Sequence, residues 1–341
     1  MLLDASRTHP PLRKLLKDKL LSPLQGCLAD PSEALAAQAA ALAAGILTLP
    51  DGDAAVEGRL SDLREAVHDA GSAEPPLVAA GLAAIRNAIL ARRPAATARL
   101  ETLCEVARLR LAHPDSFVYQ AALNTLAAAA EVEPATMMPK LAQLVLPAGG
   151  ASAESAARRI KGAQALCQAV LRLGAALPPH ADAAVGALLI GARDDCAAVR
   201  ASCVATLATV ASTLRLALHP WAVEILALAA AALQPHRDVA AAGHAPAPTE
   251  AQAEALAARD ERRAAAFLVG LLLQGLGADA VPLLSVRQLR DLLVSLRAAR
   301  DGSADEVLRG HAAAAVDQLD GLGRTMLRGA GGPSGLSLRM P

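Results

Sequence analysis

Apolar residues recur along this chain on a helical period. Val78, Leu82, Ile85 and Ile89 step by four, three and four. Leu166, Val170, Leu173 and Leu177 do the same, and Val199, Cys203, Leu207, Val210 and Leu214 carry the stripe over four turns. Each series lines one face of a helix with 3.6 residues per turn. An acidic residue in a short turn precedes each stripe, at Asp30, Glu74, Asp115, Glu154, Asp195, Asp238 and Asp301. The spacing is roughly 40 residues until the last step, which is longer. Treating 240–258, a segment with Pro246 and Pro248, as an inserted loop restores the period. Asp260-Glu261 then opens the helix of Phe267, Leu268 and Leu271.

A first helix fits inside each period. Leu100, Leu103, Ala107 and Leu111 precede Asp115; Val185, Leu188 and Leu189 precede Asp195; Leu289, Leu292, Leu293 and Leu296 precede Asp301. Prolines at 94, 139, 178, 179, 220 and 282 are placed to end one helix and admit the next. A helix pair every 40 or so residues is the period of HEAT and armadillo arrays. No single pair buries its apolar face alone, so stacking makes the core. The expected fold is all-α, a HEAT/armadillo-like solenoid of about seven hairpins in one continuous body over 1–328. The repeats are expected near 12–46, 56–91, 98–130, 137–177, 181–215, 221–277 with the inserted loop 240–258, and 283–327. Residues 329–341, rich in Gly, Ser and Pro, read as a disordered tail.

Within the third repeat, Pro114-Asp115-Ser116 opens a long apolar helix. Asp115 or Ser116 is placed to cap it by accepting from its first N–H groups. Phe117 and Tyr119 are half of the four aromatics in the chain. Phe117 is expected to fill a gap between repeats that alanine cannot, while the Tyr119 hydroxyl needs a partner or water. Asp194 in a turn followed by Val199-Arg200 matches the detailed HEAT pattern, so Arg200 is read as a residue of the polar ladder between repeats rather than a ligand contact. In His219-Pro220-Trp221, Pro220 suits a helix start and Trp221 is expected to be buried between repeats, although tryptophan also anchors interfaces.

Composition changes this picture only by excluding things. The 341 residues are 54% hydrophobic and 1% aromatic, with much alanine and without strand-like β-branched runs. Net charge is zero at pH 7, against the basic imbalance that phosphate binding leaves, so nucleic acid is not expected as a partner. The basic segment Arg7 to Lys19 also carries Leu12, Leu15, Leu16 and Leu20 on one face, which reads as a packed helix with a solvated side. The five scattered cysteines form no CxxC and suit a reducing compartment. No signal peptide is visible, and no membrane span is expected: the uncharged run Ala34 to Pro50 is short and mostly small residues. A cytoplasmic location is expected.

Catalytic and metal motifs are not found. The eight histidines include no HExxH and no pair at i and i+4. Cys196 and Cys203 lie two turns apart, about 10 Å along a helix, too far for one zinc ion. No GxSxG or Walker loop occurs. The chain is therefore read as a non-enzyme with no cofactor and no metal. Arg92-Arg93, Arg158-Arg159 with Lys161, and Arg262-Arg263 are basic clusters at helix ends, either solvated or docking points for an acidic partner.

The run Asp115-Ser-Phe-Val-Tyr119, followed by Pro134 and Met138-Pro139-Lys140-Leu141, resembles the C-terminal helical-repeat region of one eukaryotic family. It includes the animal transport and Golgi organization protein 6 homologues and the fungal RNA polymerase II assembly and nuclear import factor. The resemblance continues in Lys161-Gly162 through Leu173-Gly174, in Val199-Arg200-Ala201-Ser202, in Leu218-His219-Pro220 and near Leu308-Arg309-Gly310-His311. It covers roughly 60–327. It implies a non-catalytic scaffold or adaptor, with RNA polymerase II subunits and import or chaperone factors as partners, and shuttling between cytoplasm and nucleus. The animal members imply an alternative, a peripheral factor in protein secretion and Golgi organisation. Family members are much longer, so only their C-terminal part is resembled.

Overall fold

The structure is a computed structural model. It describes residues 75–147, 153–234 and 248–330, with short pieces at 15–16, 19–20, 23–24, 38–39 and 42. Among the described residues there is no strand. The chain forms two compact units, divided after Gly174.

In the first unit, α1 spans Pro75–Leu90, the one-turn α2 Pro94–Ala98, α3 Leu100–Leu109, α4 Ser116–Val132, α5 Pro134–Val145 and α6 Ala153–Leu173. Helices α3 and α4 make one hairpin, α5 and α6 the next. The main packing runs through the second helix of each pair: α4 lies between α1 and α6 and packs extensively on both. A helix surrounded in this way must be apolar all round. Accordingly Ala127, Ala128, Ala129 and Ala130, four consecutive residues pointing in every direction, are all fully buried. Thr125 is the polar exception. Its hydroxyl is buried and lies 3.0 Å from the Leu82 carbonyl of α1 and 2.8 Å from the Ala121 carbonyl. Upstream, Ala39 and Leu24 pack on Ala80 of α1.

The second unit repeats the scheme. Helix α7 spans Ala181–Gly191, α8 Ala197–Leu214, α9 Ala222–Leu233, α10 Pro248–Leu276, the short α11 Ala280–Leu283, α12 Val286–Gly302 and α13 Glu306–Ala330. The hairpins are α7/α8, α9/α10 and α12/α13. Helix α10 packs between α8 and α13, as α4 does between α1 and α6. These helix pairs, stacked through their second members in each unit, are the HEAT/armadillo-like architecture. The stretch Ala197–Leu233 is long and apolar enough to cross a membrane by composition alone. Here it is two helices, separated by a 3-10 turn over Arg215–Trp221, with the buried faces of α8 and α9 against α10. The break falls at Arg215, a non-glycine residue at φ +48°.

Several expectations are corrected by the helix boundaries. Residues 248–258 are not inserted loop: they are the first turns of α10, and Asp260 lies inside that helix instead of opening it. The sequence there, Glu250-Ala-Gln-Ala-Glu-Ala-Leu-Ala-Ala-Arg259, is made of strong helix formers, which outweigh the proline signal before it. Pro248 stands at the first position, where a missing N–H is harmless. Asp301 belongs to the last turn of α12, and the helix expected after it starts at Glu306, capped by Asp305. Pro139 does not separate helices but sits inside α5, whose start is set by Pro134. Helix α13 continues through 329 and 330. The acidic entries Asp30, Glu74 and Asp238, segment 240–247, most of the repeat near 12–46, residues 56–74 and residues 331–341 lie outside the described residues.

One close approach fixes the α5/α6 contact. A Cβ built on Gly162 would stand 2.8 Å from the backbone carbon and the Cβ of Leu144. Real Cβ atoms do not come so near, so the two helices must part or the residue must stay glycine. Gly162→Ala is expected to lower stability by about 1–3 kcal/mol, the range of overpacked cores. Urea unfolding measures it; an unchanged midpoint would show that α5 and α6 are not held this tightly.

Candidate partner-binding surfaces

The starts of the second helices carry an ordered set of polar contacts. Asp115 is the N-cap of α4, its carboxylate accepting from the Phe117 N–H at 2.8 Å. Asp194 does the same for Cys196 N–H at 2.9 Å ahead of α8. Asp305 accepts from Val307 and Leu308 at 3.1 and 3.3 Å ahead of α13. Four residues after Asp115, Cys196 and Asp305 stand Tyr119, Arg200 and Arg309, one structural position in three repeats.

At that position the contacts tie repeats together. Arg200 donates through Nη1 to the carbonyls of Asp194 and Asp195 at 2.9 and 3.0 Å, closing its own turn. Its Nε reaches both carboxylate oxygens of Glu261, on α10, at 3.1 and 3.0 Å. Arg309 donates to the Ser303 carbonyl at 3.1 Å, the counterpart of Asp194. Arg263, also on α10, forms a fork to Asp305, with Nε and Nη2 at 2.6 and 3.0 Å from its two oxygens. In the first unit the ammonium of Lys161 stands 3.2 Å from the centre of the Tyr119 ring, a cation–π contact in place of the ion pair. Arg200 is thus engaged in a structural ladder. Glu261, Arg263 and Asp305 are members that the sequence alone does not announce, because Asp260-Glu261 reads there as a helix entry.

The remaining expected positions are placed less deeply. Phe117 and Tyr119 are half-buried. Trp221, expected to be buried, is only half-buried at the end of its 3-10 turn, because Leu218 occupies the core there and is fully buried. His219 and Pro220 are exposed. On α10, Phe267 is 44% exposed and its ring lies 5.0 Å from that of His311 on α13. None of the four described cysteines is in a disulfide; burial pushes the Cys104 thiol up to about 12, so it stays protonated at neutral pH. Among the described residues no group of three His, Cys, Asp or Glu is placed to hold a metal ion.

A concavity lies in the first unit. A groove of about 770 Å³ opens between α3 and α5, which do not pack closely on each other. Its floor is apolar, with Leu126 of α4 and Met137 and Leu141 of α5 buried. Its rim is charged. Lys140 of α5 pairs with Glu101 of α3 across it, and Arg108 pairs with Glu105 on α3. Those hydrogen bonds hold both carboxyl groups below the usual carboxylate range. Arg158 of α6, one of the basic cluster Arg158-Arg159 with Lys161, reaches the same rim. Arg159 is buried and donates to Ser155 Oγ at 2.7 Å, while Arg158 is half-buried and lines the groove.

Comparison with known proteins adds a family. Residues 63–176 match the family described as "Required for nuclear transport of RNA pol II C-terminus 1". The matched segment contains α1 to α6, and the match is to the family that Asp115–Tyr119 and Lys161-Gly162 resemble. Among solved structures, an engineered protein is similar at 16% identity and a TM-score of 0.47, over 76% of this chain and 97% of that one. A designed armadillo repeat protein is similar at 14% identity and a TM-score of 0.41, over 75% and 99%. A structure of Kap95p with RanGDP gives 13% identity and 0.38, over 94% and 43%. At these scores the likeness is general, and the stacked hairpins themselves define the fold.

Two outcomes test the ladder. Glu261→Leu leaves Arg200 charged and mostly buried without its partner, and is expected to cost about 3 kcal/mol or more, with Arg200→Met added on top restoring most of it. Urea unfolding of the single and double variants reads this; equal loss in both would mean that packing, not the ion pair, is what was removed. The second concerns pH. The fork from Arg263 holds the Asp305 carboxyl below its ordinary value of 3.8, so its contribution is present above that value and is lost as pH falls through the lower folded value. Asp305→Asn should therefore flatten the acid limb of the stability profile below about pH 4 and leave its neutral-to-basic shape unchanged.

Proposed function

We propose that this chain is a non-catalytic helical-repeat scaffold acting in the assembly and nuclear import of RNA polymerase II. The observation that carries the reading is the match of residues 63–176 to a family described by nuclear transport of that enzyme. The physical chemistry supports it. A stack of helix pairs offers a long surface with many exposed side chains, suited to gathering several proteins at once. Partners of this kind would be polymerase subunits, together with import or chaperone factors. The chain would work in the cytoplasm and shuttle to the nucleus with its cargo. No covalent step is needed: binding one partner raises the local concentration of another, and affinity accumulates through simultaneous contacts.

The test is affinity capture with the full chain from cell extract, followed by identification of what is retained. Polymerase subunits retained in stoichiometric amount are the expected outcome. Coat or tethering factors of the secretory pathway retained without any polymerase subunit would overturn the reading and favour a role in secretion.

A further inference from the structure

The groove between α3 and α5 has a charge balance that selects its occupant. Five charged residues line it: Glu101, Glu105, Arg108, Lys140 and Arg158. The two carboxylates are already engaged, Glu101 by Lys140 and Glu105 by Arg108. Arg158 is the cation left over. It is half-buried, and its Nε is shielded from water with no acceptor among the described residues. Because the residue lines the groove and is only half-buried, a carboxylate delivered there gains a charge-assisted hydrogen bond. The floor beside it is apolar, through Leu126, Met137 and Leu141.

We infer that this groove docks a segment of a partner protein that presents apolar side chains flanked by a carboxylate, the carboxylate meeting Arg158. The inference deepens the scaffold reading and rests on it for the claim that the ligand is a protein. The volume, about 770 Å³, takes several side chains, as when one face of an amphipathic helix is laid into a groove. A basic segment is disfavoured on two counts. It would face the cation of Arg158, and it would have to compete with Lys140 and Arg108 for the carboxylates that they hold. Across the rim the Lys140–Glu101 pair links α3 to α5.

The test uses random twelve-residue peptides displayed on phage and selected on the immobilised full chain. Recovered peptides are expected to be net negative, with apolar residues at i and i+3 or i+4. Arg158→Glu is expected to lower their capture about tenfold or more, a difference of about 1.4 kcal/mol, with thermal melting unchanged. Synthetic peptides with lysine in place of the acidic residues should bind Arg158→Glu better than the native chain. No enrichment, enrichment of neutral or basic peptides, or capture that Arg158→Glu leaves intact would each overturn the assignment. Arg158→Gln, which removes the charge without reversing it, should give an intermediate loss; no loss would also count against it. The outcome is separable from that of the wider function. If acidic peptides depend on Arg158 while polymerase subunits are not captured, the groove stands and the polymerase reading falls. If Arg158→Glu captures polymerase normally and the peptide selection fails, the reverse holds.

Discussion

Close packing of the second helices against one another is the constraint on which the rest depends. In α4 the residues 127 to 130 are all alanine and all fully buried, which is possible only for a helix enclosed on every side. Alanine lets neighbouring backbones approach, and many short contacts replace the few large ones that aromatic side chains would make. Gly162 takes the same logic to its limit, meeting the Leu144 backbone where even a methyl group does not fit. The composition of the chain, rich in alanine and 1% aromatic, suits this geometry.

Small side chains pack closely but specify register weakly, since one alanine turn looks like the next. The polar ladder supplies what they lack. Arg200 with Glu261 and Arg263 with Asp305 join successive second helices in the second unit at defined heights, and Lys161 over Tyr119 does so in the first. Such partly buried pairs add little net stability, because desolvation offsets much of the attraction. Their effect is on the alternatives: a helix displaced by one turn leaves a buried charge without its partner. This use of charge inside the stack is consistent with a net charge of zero and with a basic pair, Arg262-Arg263, of which one member is committed to Asp305.

The helices were legible in the sequence because their apolar stripes repeat on a clear period. Leu166 and Val170 are buried as the stripe requires, and so are Val199, Cys203 and Leu207. The Asp115 cap was legible for the same local reason, a carboxylate two residues before an amide it can reach. What was not legible depended on competition between local signals. Pro246 and Pro248 argued for a loop that the helix formers from Glu250 to Arg259 override. Asp301 and Asp305 are both acidic and four residues apart, and only the packing of α12 decides which one caps. The groove was invisible because α3 and α5 each read as an ordinary amphipathic helix, and nothing in either reports the gap between them. Arg158 and Arg159 are adjacent and alike in sequence, yet one lines the groove and the other is buried and tied to Ser155, a difference set by about 100° of helix rotation.

If the second helices are the interior of each unit, their backbone amides should be the last to open. Native-state hydrogen exchange followed residue by residue measures this directly, since protection reports the free energy of local opening. The slowest amides are expected in the middle of α4 within the first unit and of α10 within the second, exchanging only when the whole unit unfolds, with α3, α5, α9 and α12 exchanging sooner. Protection in α3 or α5 that outlasts α4, or in α9 or α12 that outlasts α10, would contradict the account.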